Sequence, residues 1–130
     1  MDRKQIETVL LEQKEELERA LKEEYCTRSE EALINLNSKL AQVVIGIRRS
    51  GKSTMCFNVI KKSGLNFAYI NFDDERLSDI SSDELNLILE CLYKIYGDFN
   101  HLFIDEIQNI KEWYLFVNRL LRTGMHILIT

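Results

Sequence analysis

One stretch of eight residues decides the fold of this chain: Gly46-Ile47-Arg48-Arg49-Ser50-Gly51-Lys52-Ser53. It fits the pattern G-x-x-x-x-G-K-[S/T] at every fixed position, and it directly follows the apolar run Val43-Val44-Ile45. In such a loop the glycines let backbone N–H groups fold around phosphate oxygens at a helix N-terminus. The stretch predicts a site for a nucleoside triphosphate and magnesium, although an ordinary glycine-containing turn from strand to helix also fits so short a pattern.

The polar side chains of this loop have different expected tasks. Lys52 is predicted to reach the β- and γ-phosphates, and Ser53 to give its hydroxyl to magnesium. Arg48 and Arg49 occupy variable positions of the pattern. Each arginine either helps to neutralise phosphate, contacts a neighbouring subunit or is a solvated loop charge, and the sequence leaves these alternatives open.

A second motif lies downstream, where the apolar run from His101 to Ile104 ends in the consecutive carboxylates Asp105 and Glu106. An aspartate at the carboxyl end of a parallel strand can hold the magnesium shell through water. The next glutamate is then the natural general base for a water that attacks the γ-phosphate. The alternative is that both carboxylates are exposed polar residues that cap the following segment.

Composition narrows the class of protein. The 130 residues, with 45% hydrophobic content, predict one domain with a real core. The net charge of -4 gives no global basic surface for nucleic acid. No apolar run approaches the length of a membrane span, and the charged N-terminus lacks a signal-peptide core. The widely spaced Cys26, Cys56 and Cys91 indicate neither a disulfide framework nor a zinc site, so we expect a cytoplasmic protein.

Strands and helices alternate after Leu40. Continuous apolar runs predict strands at 42–47, 66–72, 101–105 and 126–130, and runs of this kind are typical of strands buried on both faces. Helical periodicity fills the intervals, with a capping box at Ser81 and terminating glycines at Gly97 and Gly124. The alternation predicts an α/β fold of three layers, a parallel sheet with helices on both faces.

Two helical segments precede this core. The first, from Asp2 to about Glu24, is charge-dense with a narrow apolar stripe, so it either docks on the core, pairs with a partner or stands in solvent. The second begins near Ser29, with three apolar side chains expected to face inward, Ala32, Leu33 and Leu36. We predict a division into a helical extension at 1–27 and a nucleotide-binding core at 28–130.

The motifs together resemble the bacterial and archaeal AAA+ ATPases whose P-loop, or Walker A motif, carries a double arginine. The resemblance covers about residues 28–130 and includes a Walker B-like strand end at Asp105. It implies an ATPase with bound ATP and magnesium, in which Thr54 contacts the α-phosphate, Asp105 the metal shell and Glu106 the hydrolytic water. The site residues expected from pattern and resemblance are, for the nucleotide, Gly46, Arg48, Arg49, Ser50, Gly51, Lys52, Ser53 and Thr54; for the metal, Ser53 and Asp105; and for catalysis, Lys52 and Glu106.

The chain departs from this family at its end, since residues 127–130 stop within an apolar strand and before the polar sensor segment, for which Thr130 is a candidate start. We expect an ATPase core without fifth strand, arginine finger or lid, and with little activity by itself. P-loop proteins with a catalytic glutamate insert the fourth strand between the first and third, so the predicted sheet order is second, third, fourth, first. The first strand then forms an edge that invites coverage by the N-terminal helices or pairing with another chain, as in a homo-oligomer.

Several classes of function fit the motifs. ATP hydrolysis that drives conformational change in an assembly is the leading interpretation, and an ATP-binding module without turnover is the alternative. A GTPase is less favoured because no N-K-x-D motif follows Lys52, and a small-molecule kinase because no acceptor site or lid is apparent. Asp73 and Asp74 lie at the carboxyl end of the second predicted strand, the edge where ligands bind in parallel sheets, but carboxylates are also common in turns from strand to loop.

Overall fold

The computed structural model describes residues 1–25, 29–45 and 52–130. Its helices and strands alternate along the chain in the order α1, β1, α2, β2, α3, β3, α4, β4. The helices are α1 Arg3–Lys22, α2 Lys52–Ser63, α3 Leu85–Tyr96 and α4 Trp113–Arg122. The strands are β1 Gln42–Val43, β2 Phe67–Asn71, β3 His101–Asp105 and β4 His126–Ile129.

All four strands are parallel, in the order β1-β4-β3-β2, which from the opposite edge reads second, third, fourth, first. The strands differ from the prediction in extent. β1 covers Gln42–Val43 where 42–47 was predicted, and Ile47 lies outside the described residues. Among the described residues, the bonding of this segment to β4 extends as far as a bond from Val44 N to Ile129 O at 2.7 Å. β2 and β4 are also shorter than predicted, and β3 matches.

Helices cover both faces of the sheet, so the architecture is α/β with three layers. Alternate strand residues face opposite layers: Leu102 and Ile104 pack with α3 and α4, and Phe103 packs with α2. The capping box at Ser81 is present and leads into α3, which ends at Gly97 with φ 73°. This positive φ suits glycine, which has no Cβ to clash.

Helix α1 docks on the core, at the edge of the sheet formed by β2. Its first half contributes Ile6 and Leu10 to the α3 side of the core, and Leu17 packs on the α2 side. Gln13, with 1% of its surface exposed, bonds the free edge of β2: Nε2 donates to Asn71 O at 2.9 Å, and Oε1 accepts from Asn71 N at 3.1 Å. The side-chain amide thus satisfies two backbone groups that a neighbouring strand would otherwise bond. The boundary between an extension at 1–27 and a core at 28–130 stays a prediction.

The opposite edge, at β1, is more exposed. Val43 and Ile45 are 52% and 88% exposed. Helix α1 does not cover this edge, since its buried residues pack at the far side of the sheet. The expectation that another chain pairs here remains a prediction.

The segment after Ser29 differs from its prediction. It forms a single 3-10 turn, Ser29–Leu33, in which Leu33 is 81% exposed and Ala32 is also exposed. The predicted inward face is wrong for both residues, and Glu31 is buried instead. The reason is polar pairing, because both carboxylate oxygens of Glu31 accept hydrogen bonds from Asn58 Nδ2 at 3.0 Å. A buried carboxylate needs such partners to offset its lost hydration.

Two other sequence features have simple outcomes. None of the described helices combines the length and apolar character that a membrane span requires. Cys56 and Cys91 are buried free thiols, and Cys26 lies outside the described residues. Burial raises the pKa of Cys56 to about 12, which keeps it protonated and unreactive at neutral pH.

Candidate functional site

The polar groups singled out in the sequence meet at the carboxyl end of the sheet. β3 ends at Asp105, Thr130 directly follows β4, and α2 begins at Lys52. The carboxyl ends of parallel strands share one edge of a sheet, where open α/β folds bind ligands. Three separate elements therefore bring side chains to one place.

Asp105 lies at the centre of this meeting point and is buried. The hydroxyl of Ser53 donates to its Oδ2 at 3.1 Å, and the hydroxyl of Thr130 donates to its Oδ1. Burial raises the pKa of Asp105 above its usual range, although both hydroxyl bonds and the nearby Lys52 oppose the rise. The carboxylate is thus held in a fixed orientation by groups from α2 and from the end of β4.

Glu106 faces the ammonium of Lys52. The distance from Lys52 Nζ to Glu106 Oε1 is 3.3 Å, and the two side chains are 17% and 19% exposed, respectively. The other carboxylate oxygen, Oε2, accepts a hydrogen bond from Gln108 Nε2. The predicted phosphate-binding lysine and the predicted general base therefore form an ion pair in the described conformation.

The backbone of Glu106 is strained. Its φ and ψ of 60° and 42° lie in the left-handed region. Within the described ranges, Glu112 is the other non-glycine residue with positive φ. Such a conformation costs on the order of 1–3 kcal/mol outside glycine and is concentrated at functional sites.

The donor set around Asp105 fits magnesium. Magnesium prefers oxygen ligands, keeps several of its waters and uses one or two carboxylates together with substrate phosphates. The Ser53 hydroxyl and the Asp105 carboxylate are oxygen donors within 3.1 Å of each other. No cluster of three histidine, cysteine, aspartate or glutamate side chains among the described residues could hold a metal ion by itself. A site of this type takes its remaining ligands from water and from phosphate oxygens.

Other predicted residues lie around this group. Thr54 is exposed on the first turn of α2. Gly46, Arg48, Arg49, Ser50 and Gly51 lie outside the described residues.

The acidic turn after β2 has a structural task. The side chain of Asp74 accepts from Arg76 N at 3.0 Å and caps the turn Glu75–Leu77. Arg76 Nη2 also lies 2.8 Å from Asp74 Oδ2, so this carboxylate is engaged within the turn. The hydrogen bonds with Arg76 hold the pKa of Asp74 below its usual value.

Sequence reasoning missed three contributions to this end of the sheet. Thr130 was noted only as a candidate start of the sensor segment, and its bond to Asp105 was not foreseen. Gln108 was assigned no function, because the left-handed backbone of Glu106, which precedes the turn that contains Gln108, has no sequence signature. Gln13 did leave a signal, since it interrupts the apolar stripe of α1 between Leu10 and Leu17 at helical spacing.

Comparison with known proteins adds independent information. A family model described as an AAA domain matches residues 38–130, which is more than half of the chain. The chain is also 44% identical over 98 residues to "Uncharacterized protein MJ1544" of Methanocaldococcus jannaschii. That match covers 75% of this chain and 22% of the relative. No solved structure matches the chain.

Proposed function

This chain belongs to the AAA domain family, and from that premise we propose that it is the ATP-binding core of an AAA+ ATPase with the double-arginine P-loop. In this proposal ATP binds with magnesium, and its hydrolysis drives a conformational change. The chain spans about a fifth of the length of the curated relative it matches, so the activity and partners of the whole protein are part of the proposal.

The observation that carries the proposal is the convergence of Lys52, Ser53, Asp105 and Glu106 at one edge of the sheet. The ammonium of Lys52 forms an ion pair with Glu106, and the hydroxyl of Ser53 donates to Asp105, so two neighbouring contacts join the two separate motifs. This is the set of groups that phosphoryl transfer uses to bind phosphate, hold a metal shell and orient water. The alternative, that Asp105 and Glu106 are exposed residues that only cap the following segment, does not explain why both contact the first residues of α2.

Each group has a distinct task in the proposal. Lys52 leaves Glu106 and hydrogen-bonds the β- and γ-phosphates, while the first turn of α2 presents backbone N–H groups to them. Ser53 and Asp105 hold the magnesium ion, which supplies charge neutralisation for the phosphates when bound. Gly46, Arg48, Arg49, Ser50 and Gly51 complete the loop around the phosphates, and Thr54 contacts the α-phosphate.

Glu106 is the proposed general base. Once Lys52 has moved to the phosphates, Oε1 of Glu106 is free to accept a proton from the water that attacks the γ-phosphate. The Lys52–Glu106 ion pair is then a resting arrangement, in which each charge neutralises the other until nucleotide separates them.

An ATP-binding module without turnover is the second candidate. It uses the same Lys52, Ser53 and Asp105 and differs only in what Glu106 does. The ion pair between Lys52 and Glu106, at 3.3 Å, is the observation that favours this candidate. If the pair persists when nucleotide binds, Glu106 cannot act as a base. A GTPase or a small-molecule kinase has less support, because neither a guanine-reading motif nor an acceptor site is apparent in the sequence.

Glu106→Gln in the full-length protein separates binding from chemistry. We expect ATP affinity to stay nearly unchanged and phosphate release to fall by on the order of a hundredfold or more, because an amide cannot accept the proton of the water. Phosphate release and titration calorimetry measure the two quantities on the same preparations.

The matched control is Glu112→Gln, since Glu112 has the same left-handed backbone with φ 58° but is the N-cap of α4 and has no part in the contacts described above for the cluster. It should leave both quantities unchanged. Wild-type turnover by the Glu106→Gln variant would refute Glu106 as the base. Tight ATP binding without turnover by the wild-type protein would favour the binding module.

A further inference from the structure

Gln108 lies in a turn that the fold fixes firmly. The turn Ile107–Asn109 follows Glu106, and both Ile107 and Ile110 are buried in the core on the α3 and α4 side of the sheet. Ile110 N donates to Ile107 O at 2.9 Å, and Asn109 Nδ2 donates to Phe72 O at 3.3 Å, which ties the turn to the end of β2. An exposed glutamine on this turn is therefore held on a rigid base.

The side chain of Gln108 turns back to the carboxylate of Glu106. Its Nε2 donates to Oε2, while Lys52 occupies the side of Oε1 at 3.3 Å. The two oxygens of Glu106 thus have different partners, one the ammonium of Lys52 from α2 and the other the neutral amide of Gln108. In the proposed function the phosphates compete with Glu106 for the ammonium of Lys52, because both are anionic partners for a cation. The amide of Gln108 keeps its bond to the carboxylate.

We propose that Gln108 is a positioning residue for the proposed hydrolysis: it holds Glu106 by Oε2, so that Oε1 faces the attacking water after Lys52 has moved to the phosphates. This inference rests on the proposed function. An amide suits the task because it donates a hydrogen bond without neutralising the carboxylate. A lysine at this place would compete with the water for the same charge, and an aliphatic side chain would leave the carboxylate free to rotate.

Gln108→Met tests the inference, because methionine keeps the length of the side chain and removes the donor. In the full-length protein we expect kcat for ATP hydrolysis to fall about 10- to 100-fold, since a base displaced from its productive geometry loses rate steeply. The KM for ATP, the affinity for ATP by calorimetry and the melting temperature should stay unchanged. Lys111→Met, at an exposed neighbour of the turn, is the matched control and should change none of these.

A second measurement asks whether Gln108 acts through Glu106. In the Glu106→Gln background, adding Gln108→Met should cause no further loss, because residues that act as a unit have non-additive effects. Gln108→Glu should lower kcat at least as much as Gln108→Met, since it puts a like charge beside the base.

The outcomes are distinct. Unchanged kcat in Gln108→Met, with Glu106→Gln still defective, would overturn the role of Gln108 and leave the proposed function intact. A parallel loss of ATP affinity would also overturn it, because Gln108 would then act on binding. Absence of ATP turnover in the wild-type protein would overturn the proposed hydrolysis and this inference together.

Discussion

The two ends of β3 place their titratable side chains in opposite surroundings, Asp105 buried and His101 half-buried. At the carboxyl end, each oxygen of Asp105 accepts a hydroxyl hydrogen bond, from Ser53 and Thr130. At the amino end, the ring of His101 stacks on His126 at 4.8 Å between centroids, and its buried Nε2 finds no hydrogen-bond partner among the described residues. Burial raises the pKa of Asp105 and lowers the pKa of His101, with His126 adding to the second shift.

The difference indicates where the strand is organised for chemistry. The amino end favours the neutral form of the His101 ring, which packing alone can stabilise. At the carboxyl end the carboxylate of Asp105 is buried, which lowers stability. Side chains from α2 and from the end of β4 hold it in one orientation. A buried, oriented carboxylate with a destabilising pKa shift is typical of a functional site, whereas an unpaired neutral ring needs only a structural explanation.

Among substitutions at or near the two ends of β3, Asp105→Asn should have the largest effect, and the effect should be on ATP binding. We expect the magnesium-dependent part of ATP affinity to weaken about 10- to 100-fold, as outer ligands of metal sites commonly do when changed. Calorimetry with and without magnesium measures it. An unchanged magnesium dependence would mean that Asp105 has no part in the metal shell.

The same variant should gain stability at neutral pH. Because the folded pKa of Asp105 is raised above 3.8, the folded state keeps a proton that the unfolded state has lost. The free energy of unfolding therefore falls as pH rises from 3.8 through the folded pKa, and the loss persists at pH 7. Denaturant unfolding at pH 7 should find Asp105→Asn more stable than wild type, and a less stable variant would contradict the account.

Gln13→Ala should have the next largest effect, on the neighbouring strand. Asn71 lies beside Asp105 in the sheet, and without Gln13 its N–H and C=O lose their partners at the free edge of β2. We expect a loss of about 1–3 kcal/mol in the free energy of unfolding, the cost of leaving buried polar groups unsatisfied. Glu15→Ala, exposed on the same helix, is the control and should change stability by less than about 0.5 kcal/mol. Equal effects of the two variants would argue that the edge is open to water.

His101→Phe should have the smallest effect, confined to mildly acidic pH. Since the folded pKa of His101 lies below 6.5, the unfolded state binds a proton first as pH falls. The wild-type free energy of unfolding should therefore decline from about pH 6.5 down to the folded pKa and then level off. His101→Phe keeps the ring stack and should lack this part of the decline. Identical pH profiles would place the acid sensitivity elsewhere.

The sequence predicted one part of this site better than the other. Apolar runs located β3 at 101–105 as observed, because continuous burial on both faces leaves a pattern that periodicity can detect. The spacing of the loop and the carboxylates also indicated which side chains would meet. The left-handed backbone of Glu106 and its pairing with Lys52 left no pattern, since torsion angles and long-range ion pairs depend on neighbours that are distant in sequence.

Outside the site, the prediction from sequence failed mainly for polar residues that are buried. Leu33 was expected to face inward, because hydrophobicity alone favours its burial, and the burial of Glu31 was not foreseen. The observed burial of Glu31 depends on Asn58, a residue on α2 that no local rule connects with it. Gln13 is similar, but its position within an apolar stripe made it detectable.

The most direct test of the central claim is titration calorimetry of the full-length protein and Lys52→Ala with magnesium and either ATP or GTP. We predict that wild type prefers ATP and that Lys52→Ala loses about 1.5–3 kcal/mol of binding, the worth of a charge-assisted hydrogen bond to phosphate. Lys39→Ala, exposed before β1 at the amino end of the sheet, should bind as wild type does. Equal ATP affinity of wild type and Lys52→Ala would contradict the account.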